Sequence, residues 1–267
     1  MKVLSSTTIQ GLSSPLARVV EVHKALGSTQ ERARELAHAG APHGTLVIVE
    51  VQTGGRGRLG RPWGSPKGGL WMSIVLRPWF DASLASRVTQ TAAVGVAKAL
   101  WEIGVEASIK WPNDLLAGGK KICGILAESS AENTTGPAKQ RRLDYAILGV
   151  GMNANLDPAE LWVPDREVTT IRSELGRDVN LLDLLSALLS NLEAELGRIG
   201  DFGAVLEEWR SLNCTLGEKV RVRRFGHTIE GRALDLSQEG ALLLATQCGT
   251  VEVLEGEIEH LRHGGEG

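Results

Sequence analysis

Four cations and no carboxylates fall between Gln52 and Lys67, in a chain of 267 residues whose net charge is -3. The centre of that stretch, Gln52-Thr-Gly-Gly-Arg-Gly-Arg-Leu-Gly-Arg61, alternates arginine with glycine. Glycine lets a backbone take φ > 0 and come close to a ligand. Arginine offers a fork of donors that matches carboxylate and phosphate oxygens. A loop of this composition suits the wrapping of an anion, and the same residues also make an ordinary solvated turn. What accompanies the loop decides between the two.

Two further groups accompany it. Lys110-Trp-Pro-Asn-Asp114 precedes Gly119-Lys-Lys-Ile-Cys-Gly-Ile-Leu126. Pro-Asn-Asp alone is a turn, and a lysine that opens an apolar strand is commonly an edge gatekeeper. Together they place an amide (Asn113), a carboxylate (Asp114) and an ammonium (Lys121) on adjacent strand ends. Gly124, inside a strand, marks a place where something approaches the backbone closely. The third group is Gly149-Val-Gly-Met-Asn153-Ala-Asn155, whose glycines also fit a bulge or a tight packing contact. Its spacing is not that of a dinucleotide fold. The chain has neither a GxxxxGK[ST] loop nor Gly-x-Ser-x-Gly, so P-loop and hydrolase chemistry have no support. Its three cysteines and six histidines show no metal-ligand spacing, and no metal ligands are assigned. Trp63, within the basic loop, is placed to cover a ligand. Most of the other tryptophans are expected in cores or interfaces, and Arg221, Arg223 and Arg224 on a solvated face.

These residues need elements to hold them. Ser28-Thr-Gln-Glu31 has the pattern of a capping box that starts a helix ending at Gly40. Thr45 to Val51 and Gly69 to Leu76 read as apolar strands joined by the basic loop. Val88, Ala92, Val96 and Leu100 form one helical stripe within Ala82 to Ile103. Val105 to Trp111 alternates as a half-buried strand, which Pro112 breaks. Lys121 to Glu128 and Leu143 to Val150 are strands around a polar hairpin loop, Ser130 to Arg142. Leu181 to Ile199 is an amphipathic helix capped by Asn180, and Phe202 to Leu212 is another. Beyond Leu216, short strand-like runs between glycines predict a small antiparallel barrel. The fold class is therefore α+β, a mixed sheet with helices plus a C-terminal barrel. The boundary falls near Asn213 to Gly217, giving residues 1–214 and 215–267.

Composition narrows the classes. An apolar fraction of 42% and a charged fraction of 23% are ordinary for a globular protein. The acidic balance gives no field for nucleic acid. No apolar run approaches the ~20 residues of a spanning helix, and no signal peptide opens the chain. Sparse cysteines fit a reducing compartment, and the expected location is cytoplasmic.

In their order, Ser28-Thr29, the GGRGRLGR loop, KWPND, GKKICGIL and GVGMNAN resemble the signatures of the biotin protein ligases (biotin–[acetyl-CoA-carboxylase] ligases) over roughly residues 20–262. The C-terminal segment resembles that family's SH3-like domain, and the catalytic part its fold related to class II aminoacyl-tRNA synthetases. The resemblance implies two steps. Biotin carboxylate attacks the α-phosphate of ATP, with Mg²⁺, to give biotinyl-5′-AMP; a lysine of a biotin carboxyl carrier protein then takes the biotinyl group. It implies Lys121, Arg58 and Asp114 as catalytic residues. It places biotin against Ser28, Thr29, Gln52, Gly55, Arg56, Arg58, Lys121, Gly124, Leu126 and Gly149. ATP or adenylate falls to Arg56, Arg58, Arg61, Trp63, Asn113, Lys121 and Asn153. Asp114 orients or deprotonates the acceptor lysine, helps to hold the metal, or serves as the salt-bridge partner of Lys121. Gln30 departs from the family's usual Asn. The start of the chain leaves no room for a helix-turn-helix, so a monofunctional enzyme without DNA binding is expected; a homodimer stays open. The rival readings are a lipoate or octanoate ligase on the same scaffold and a non-catalytic biotin-binding regulator.

Overall fold

The structure, a computed structural model, describes residues 4–77, 86–131, 143–161, 167–224 and 226–261. A seven-stranded mixed sheet organises the larger part. Its strands are β1 (Val19–Leu26), β2 (Thr45–Gln52), β3 (Leu70–Leu76), β4 (Ser108–Lys110), β5 (Asp114–Ala117), β6 (Lys120–Ala131) and β7 (Leu143–Met152), in the spatial order β1-β2-β3-β7-β6-β5-β4. Only β1 and β2 run parallel; the other neighbours are antiparallel.

Alternation along these strands sorts their side chains onto two faces. Leu46, Ile48, Met72, Ile74, Leu148 and Val150 turn to a large core. Three helices pack there: α3 (Arg87–Glu102), α5 (Leu181–Gly197) and α6 (Phe202–Leu212). The stripe Val88, Ala92, Val96 and Leu100 is wholly buried, as the periodicity predicts. On the opposite face α2 (Thr29–His38) covers Val47, Val75, Tyr145 and Ile147 through Ala33 and Ala37. Two short helices, α1 (Ser6–Gln10) and α4 (Ile171–Leu175), complete this part.

Five antiparallel strands, β8 (Lys219–Arg224), β9 (His227–Leu236), β10 (Leu242–Thr246), β11 (Gly249–Val253) and β12 (Glu257–His260), form the small sheet in the order β11-β10-β9-β8-β12. It docks through polar anchors. Arg210 forks onto Asp235 at 2.7 and 3.0 Å. Gln90 Nε2 donates to the Gly240 carbonyl, and the Trp111 N–H donates to Thr215 Oγ1.

Several expectations change in detail. The Ser28 hydroxyl caps α2 by accepting from the Gln30 N–H, while Glu31 pairs with Arg56 instead of closing a capping box. Asp114 is the first residue of β5, so the Pro-Asn-Asp turn leads straight into a strand. β1 carries mixed polar and apolar residues and was not anticipated. The predicted helix from Ala82 is described from Arg87. Of the predicted loop, Ser130 and Ala131 belong to β6, and 132–142 lie outside the described residues. Among the described residues no helix is long and apolar enough to cross a membrane.

Candidate functional site

Glycine placement in two strands creates the site. Register aligns Lys110, Asp114, Gly124, Gly151 and Trp71 in one row across the sheet. Leu126, Gly149 and Ser73 form the next row on the same face. Paired residues point to the same side, so Gly124, Gly149 and Gly151 leave a strip of bare backbone between α2 and Trp71. Above it lies a cavity of about 980 Å³, at the upper end of the ~300–1,000 Å³ typical of small-molecule sites.

The basic loop roofs the cavity as a hairpin. Gln52 and Ser65 pair at its base, and Arg56 pairs with Pro62 higher up. Its tip turns through Leu59 and Gly60, at φ 56° and 72°. Leu59 is 56% exposed, and a non-glycine residue held there stores local strain. Trp63 returns toward the sheet. A Cβ on Gly151 would lie 2.6 Å from Trp63 Nε1, and one on Gly124 would lie 3.1 Å from the ring. The close approach expected at Gly124 is thus made by an indole of the chain itself.

Under that indole lie the charged groups. Lys121 Nζ is 4.8 Å from the Trp63 ring centroid and 2.5 Å from Asp114 Oδ1. Both residues are at least nine-tenths buried. The backbone of Lys121 is fixed by the Glu167 carbonyl and the Thr169 N–H. Arg58 reaches in from the hairpin, with Nη1 3.4 Å from Asn113 Oδ1. Asn113 is aimed by its own amide, which donates to the Ile125 carbonyl at 2.7 Å. Burial lowers the Arg58 guanidinium below its ordinary value, opposed by the charges of Glu255 and Asp114. A partly desolvated cation of this kind gains from an incoming anion.

A polar row closes the far end. Gln52 Oε1 accepts from the Thr29 N–H at 2.8 Å and from Thr29 Oγ1 at 3.1 Å. Thr29 Oγ1 lies 2.9 Å from Ser73 Oγ, which donates to Gln30 Oε1 at 3.0 Å. The opposite wall comes from the small sheet: Arg221, Arg223, Glu257, Glu259 and His260. Arg61 bridges to it by pairing with Glu257.

The structure therefore gathers Ser28, Thr29, Gln52, Arg56, Arg58, Arg61, Trp63, Asn113, Asp114, Lys121, Gly124, Leu126 and Gly149 around one cavity. Two expected residues stand apart from that lining. Asn153 is buried behind Lys121, its Nδ2 donating to the Lys121 and Thr169 carbonyls at 3.3 and 3.0 Å; it props the strand that carries the lysine. Gly55 sits inside the hairpin base, where a Cβ would strike the Trp63 carbonyl at 2.5 Å; its bareness serves loop closure. Sequence reasoning missed Ser73 and the wall of mixed charge that the small sheet supplies. A lone serine amid Trp71, Met72, Ile74 and Val75 was the available signal for the first. Arg223 and Arg224 are exposed, as expected, while Arg221 is partly covered and pairs with Glu230 and Glu259; no local pattern tells which barrel face meets the sheet. Among the described residues no three His, Cys, Asp or Glu side chains converge as a metal site.

Known proteins resemble this chain in sequence and fold. The Biotin/lipoate A/B protein ligase family matches residues 22–153, and the Biotin protein ligase C terminal domain matches residues 215–261. The Bifunctional ligase/repressor BirA of Bacillus subtilis is 36% identical over 242 residues, covering 89% of this chain and 72% of its own. The Biotin–[acetyl-CoA-carboxylase] ligase of Mycobacterium tuberculosis is 30% identical over 256 residues, covering 92% and 90%. In three dimensions, biotin protein ligase from Aquifex aeolicus in complex with biotin and ATP superimposes with a TM-score of 0.73 at 30% identity, covering 92% of this chain and 100% of that one. With sequence, fold and both matched segments in agreement, the chain belongs to the biotin protein ligase family.

Proposed function

We propose that this chain activates biotin with ATP and transfers it to a lysine of a biotin carboxyl carrier domain. One observation supports this above the others: Arg58 and Lys121, distant in sequence, flank a single cavity whose floor is bare glycine backbone. Residues 1–214 act as the catalytic unit and 215–267 as a small domain that completes its wall. The work is done in the cytoplasm, where ATP and carboxylase carriers meet.

With the Trp63 indole lifted from Gly124 and Gly151, the strip over Gly124, Gly149 and Gly151 takes the biotin rings and tail, and Leu126 borders it. The row of Ser28, Thr29 and Gln52 meets the urea head. The carboxylate then points toward Lys121 and Arg58. Two anions must come within bonding distance, and cations between them remove the repulsion that keeps them apart. Lys121 lies between the biotin carboxylate and the α-phosphate; Arg58, Arg56 and Arg61 hold the phosphates from the hairpin, and Asn113 fixes Arg58. A carboxylate oxygen attacks the α-phosphorus, the bond to the β-phosphate bridge breaks, and pyrophosphate leaves. Positioning and preorganised charge carry such a step, because the protein itself makes no covalent bond.

Mg²⁺ would supply positive charge to the triphosphate, and Asp114, a carboxylate of the cavity, would help to hold it. In the second step the carrier amine attacks the anhydride carbonyl and AMP departs. Asp114, paired with Lys121, orients that amine or takes its proton. Trp63 and the hairpin keep water from the anhydride until then.

The test is ATP–pyrophosphate exchange with biotin and lipoate in parallel, followed by streptavidin detection of a carrier domain. Exchange with biotin and a labelled carrier are expected. Exchange with lipoate alone, or biotin binding without exchange, would replace this reading by the corresponding rival.

A further inference from the structure

The polar row at the end of the cavity has more acceptors than protons. Its four oxygens are Gln52 Oε1, Thr29 Oγ1, Ser73 Oγ and Gln30 Oε1, joined by contacts of 3.1, 2.9 and 3.0 Å. Only Thr29 and Ser73 bring hydroxyl protons, so two protons serve three contacts. One contact has no hydrogen between its oxygens, and a ligand that brings N–H donors relieves it.

The deficit persists only while both terminal amides present oxygen to the row. At the near end Gln52 is locked by the Thr29 N–H on its oxygen and by Ser65 Oγ, which accepts from its nitrogen at 2.7 Å. At the far end Gln30 Nε2 donates to Glu128 Oε2 at 2.9 Å and to the Ile147 carbonyl at 3.3 Å. Turning the Gln30 amide over would set its oxygen against a carboxylate and a carbonyl. Glu128 lies on the same strand as Leu126, is held by Arg34 at 2.6 Å and is absent from the cavity lining. Asparagine at position 30 would be one methylene shorter, so the reach to Glu128 belongs to glutamine.

We infer that Gln30 and Glu128 are positioning residues for ligand specificity: by fixing the Gln30 oxygen toward Ser73 they keep the row acceptor-rich, which favours a cyclic urea over a ring without N–H donors. The inference rests on the proposed biotin-activating function. It makes Gln30 act through Ser73, not on the reacting atoms.

The experiment measures pyrophosphate exchange for the full chain with biotin, N-methylated biotin and lipoate. In Gln30→Met the row has two contacts for two protons. The expected result is a biotin KM raised about tenfold, the effect of one hydrogen bond, with kcat and the ATP KM unchanged. Lipoate turnover should not fall, and the penalty for N-methylation should shrink by the same factor. Glu128→Gln keeps an acceptor facing Gln30 and should stay within about twofold of wild type, whereas Glu128→Lys presents a donor, turns the amide and should match Gln30→Met. Arg34→Ala should leave the preference unchanged. An equal loss for biotin and lipoate, or an unaltered N-methyl penalty in both Gln30→Met and Glu128→Lys, would overturn the inference while leaving biotin activation standing. A wild-type chain that exchanges with lipoate alone would remove the underlying function, and the inference with it.

Discussion

Lys121→Ala separates what the lysine does for the fold from what it does for the reaction. The ammonium lies 2.5 Å from Asp114, and at an effective dielectric of ~20 the gross attraction is about 7 kcal/mol. Most of that offsets the desolvation of two buried ions, so the pair contributes little net stability. Removing one partner still strands the other, at a cost of about 3–5 kcal/mol. Arg58 lies close enough to act electrostatically with Asp114, which points to the lower end. A loss of about 3 kcal/mol lowers the Tm by roughly 6–12 °C in a chain of this size and leaves it folded. Adenylate formation should fall by about 10²–10³, the usual effect of deleting a preorganised electrostatic group. The double variant Lys121→Ala/Asp114→Asn should recover most of the Tm and none of the exchange activity. Thermal melts and pyrophosphate exchange on the same preparations decide the matter. A double variant as unstable as the single one refutes the stranded-charge account, and a single variant with near wild-type exchange refutes the role of Lys121.

Other consequences follow from the same geometry. Gly151→Ala places a methyl 2.6 Å from Trp63 Nε1, where heavy atoms prefer ~3.5–4.0 Å. The resulting overpacking of about 1–3 kcal/mol should lower the Tm by roughly 2–12 °C and raise the biotin KM where the displaced indole enters the cavity; an unchanged Tm and KM would show that the indole moves freely. Arg58→Ala loses a charge-assisted contact worth about 1.5–3 kcal/mol, so biotin should bind more weakly and adenylate should escape about 10- to 150-fold faster. Equal adenylate half-lives would count against closure by the hairpin. Burial holds His43 and His260 below the ordinary histidine value, with Arg18 and Lys110 respectively adding to the effect. The unfolded chain therefore takes up these protons first, and stability falls as pH drops below about 6.5. Melts from pH 7.5 to 5 should show the decline, and His260→Gln should flatten part of it; identical profiles would place the loss elsewhere.

Much of this was legible because apolar periodicity records burial. Leu181 to Leu212 reads as two helices in the sequence and forms two helices in the fold. The strands at Thr45, Leu70 and Leu143 announced themselves as runs buried on both faces. β1 was not legible: its Glu21, His23 and Lys24 reflect a strand at the sheet's edge, with half-exposed side chains. At the site, Gly124 predicted a close approach and Gly149 a bulge or a tight packing contact; Trp63 lies against the first and Gln30 against the second. Asn153 props the carbonyls of Lys121 and Thr169, and an amide near a glycine pair looks the same from the sequence whether it faces a ligand or a neighbouring carbonyl. The row joining Gln52, Thr29, Ser73 and Gln30 was hidden for a different reason. Its members come from two strands and a helix, and only tertiary register sets them side by side.

The cavity holds its cations in two ways, and the proposed reaction needs both. Lys121 belongs to the sheet: its backbone is bonded on both sides and its side chain is clamped by Asp114 and covered by Trp63. A charge that must lie between two anions at every turnover gains from such immobility, since no reorganisation is left for the transition state. Arg58 and Arg61 ride on a glycine-rich hairpin linked to the small sheet by the attraction between Arg58 and Glu255 and by the Arg61–Glu257 pair. Both side chains of that pair are partly exposed, and a pair of that kind contributes no more than about 1 kcal/mol. Biotin and ATP must enter, pyrophosphate must leave and a carrier lysine must reach the anhydride, so the roof has to open more than once per cycle. A weak anchor on the hairpin and a strong one on the lysine assign opening to the loop and chemistry to the sheet. That division fits the two groups of glycines: those between Gly54 and Gly60 give the hairpin its turns, and those at 124, 149 and 151 let Trp63 and Gln30 lie close against the sheet.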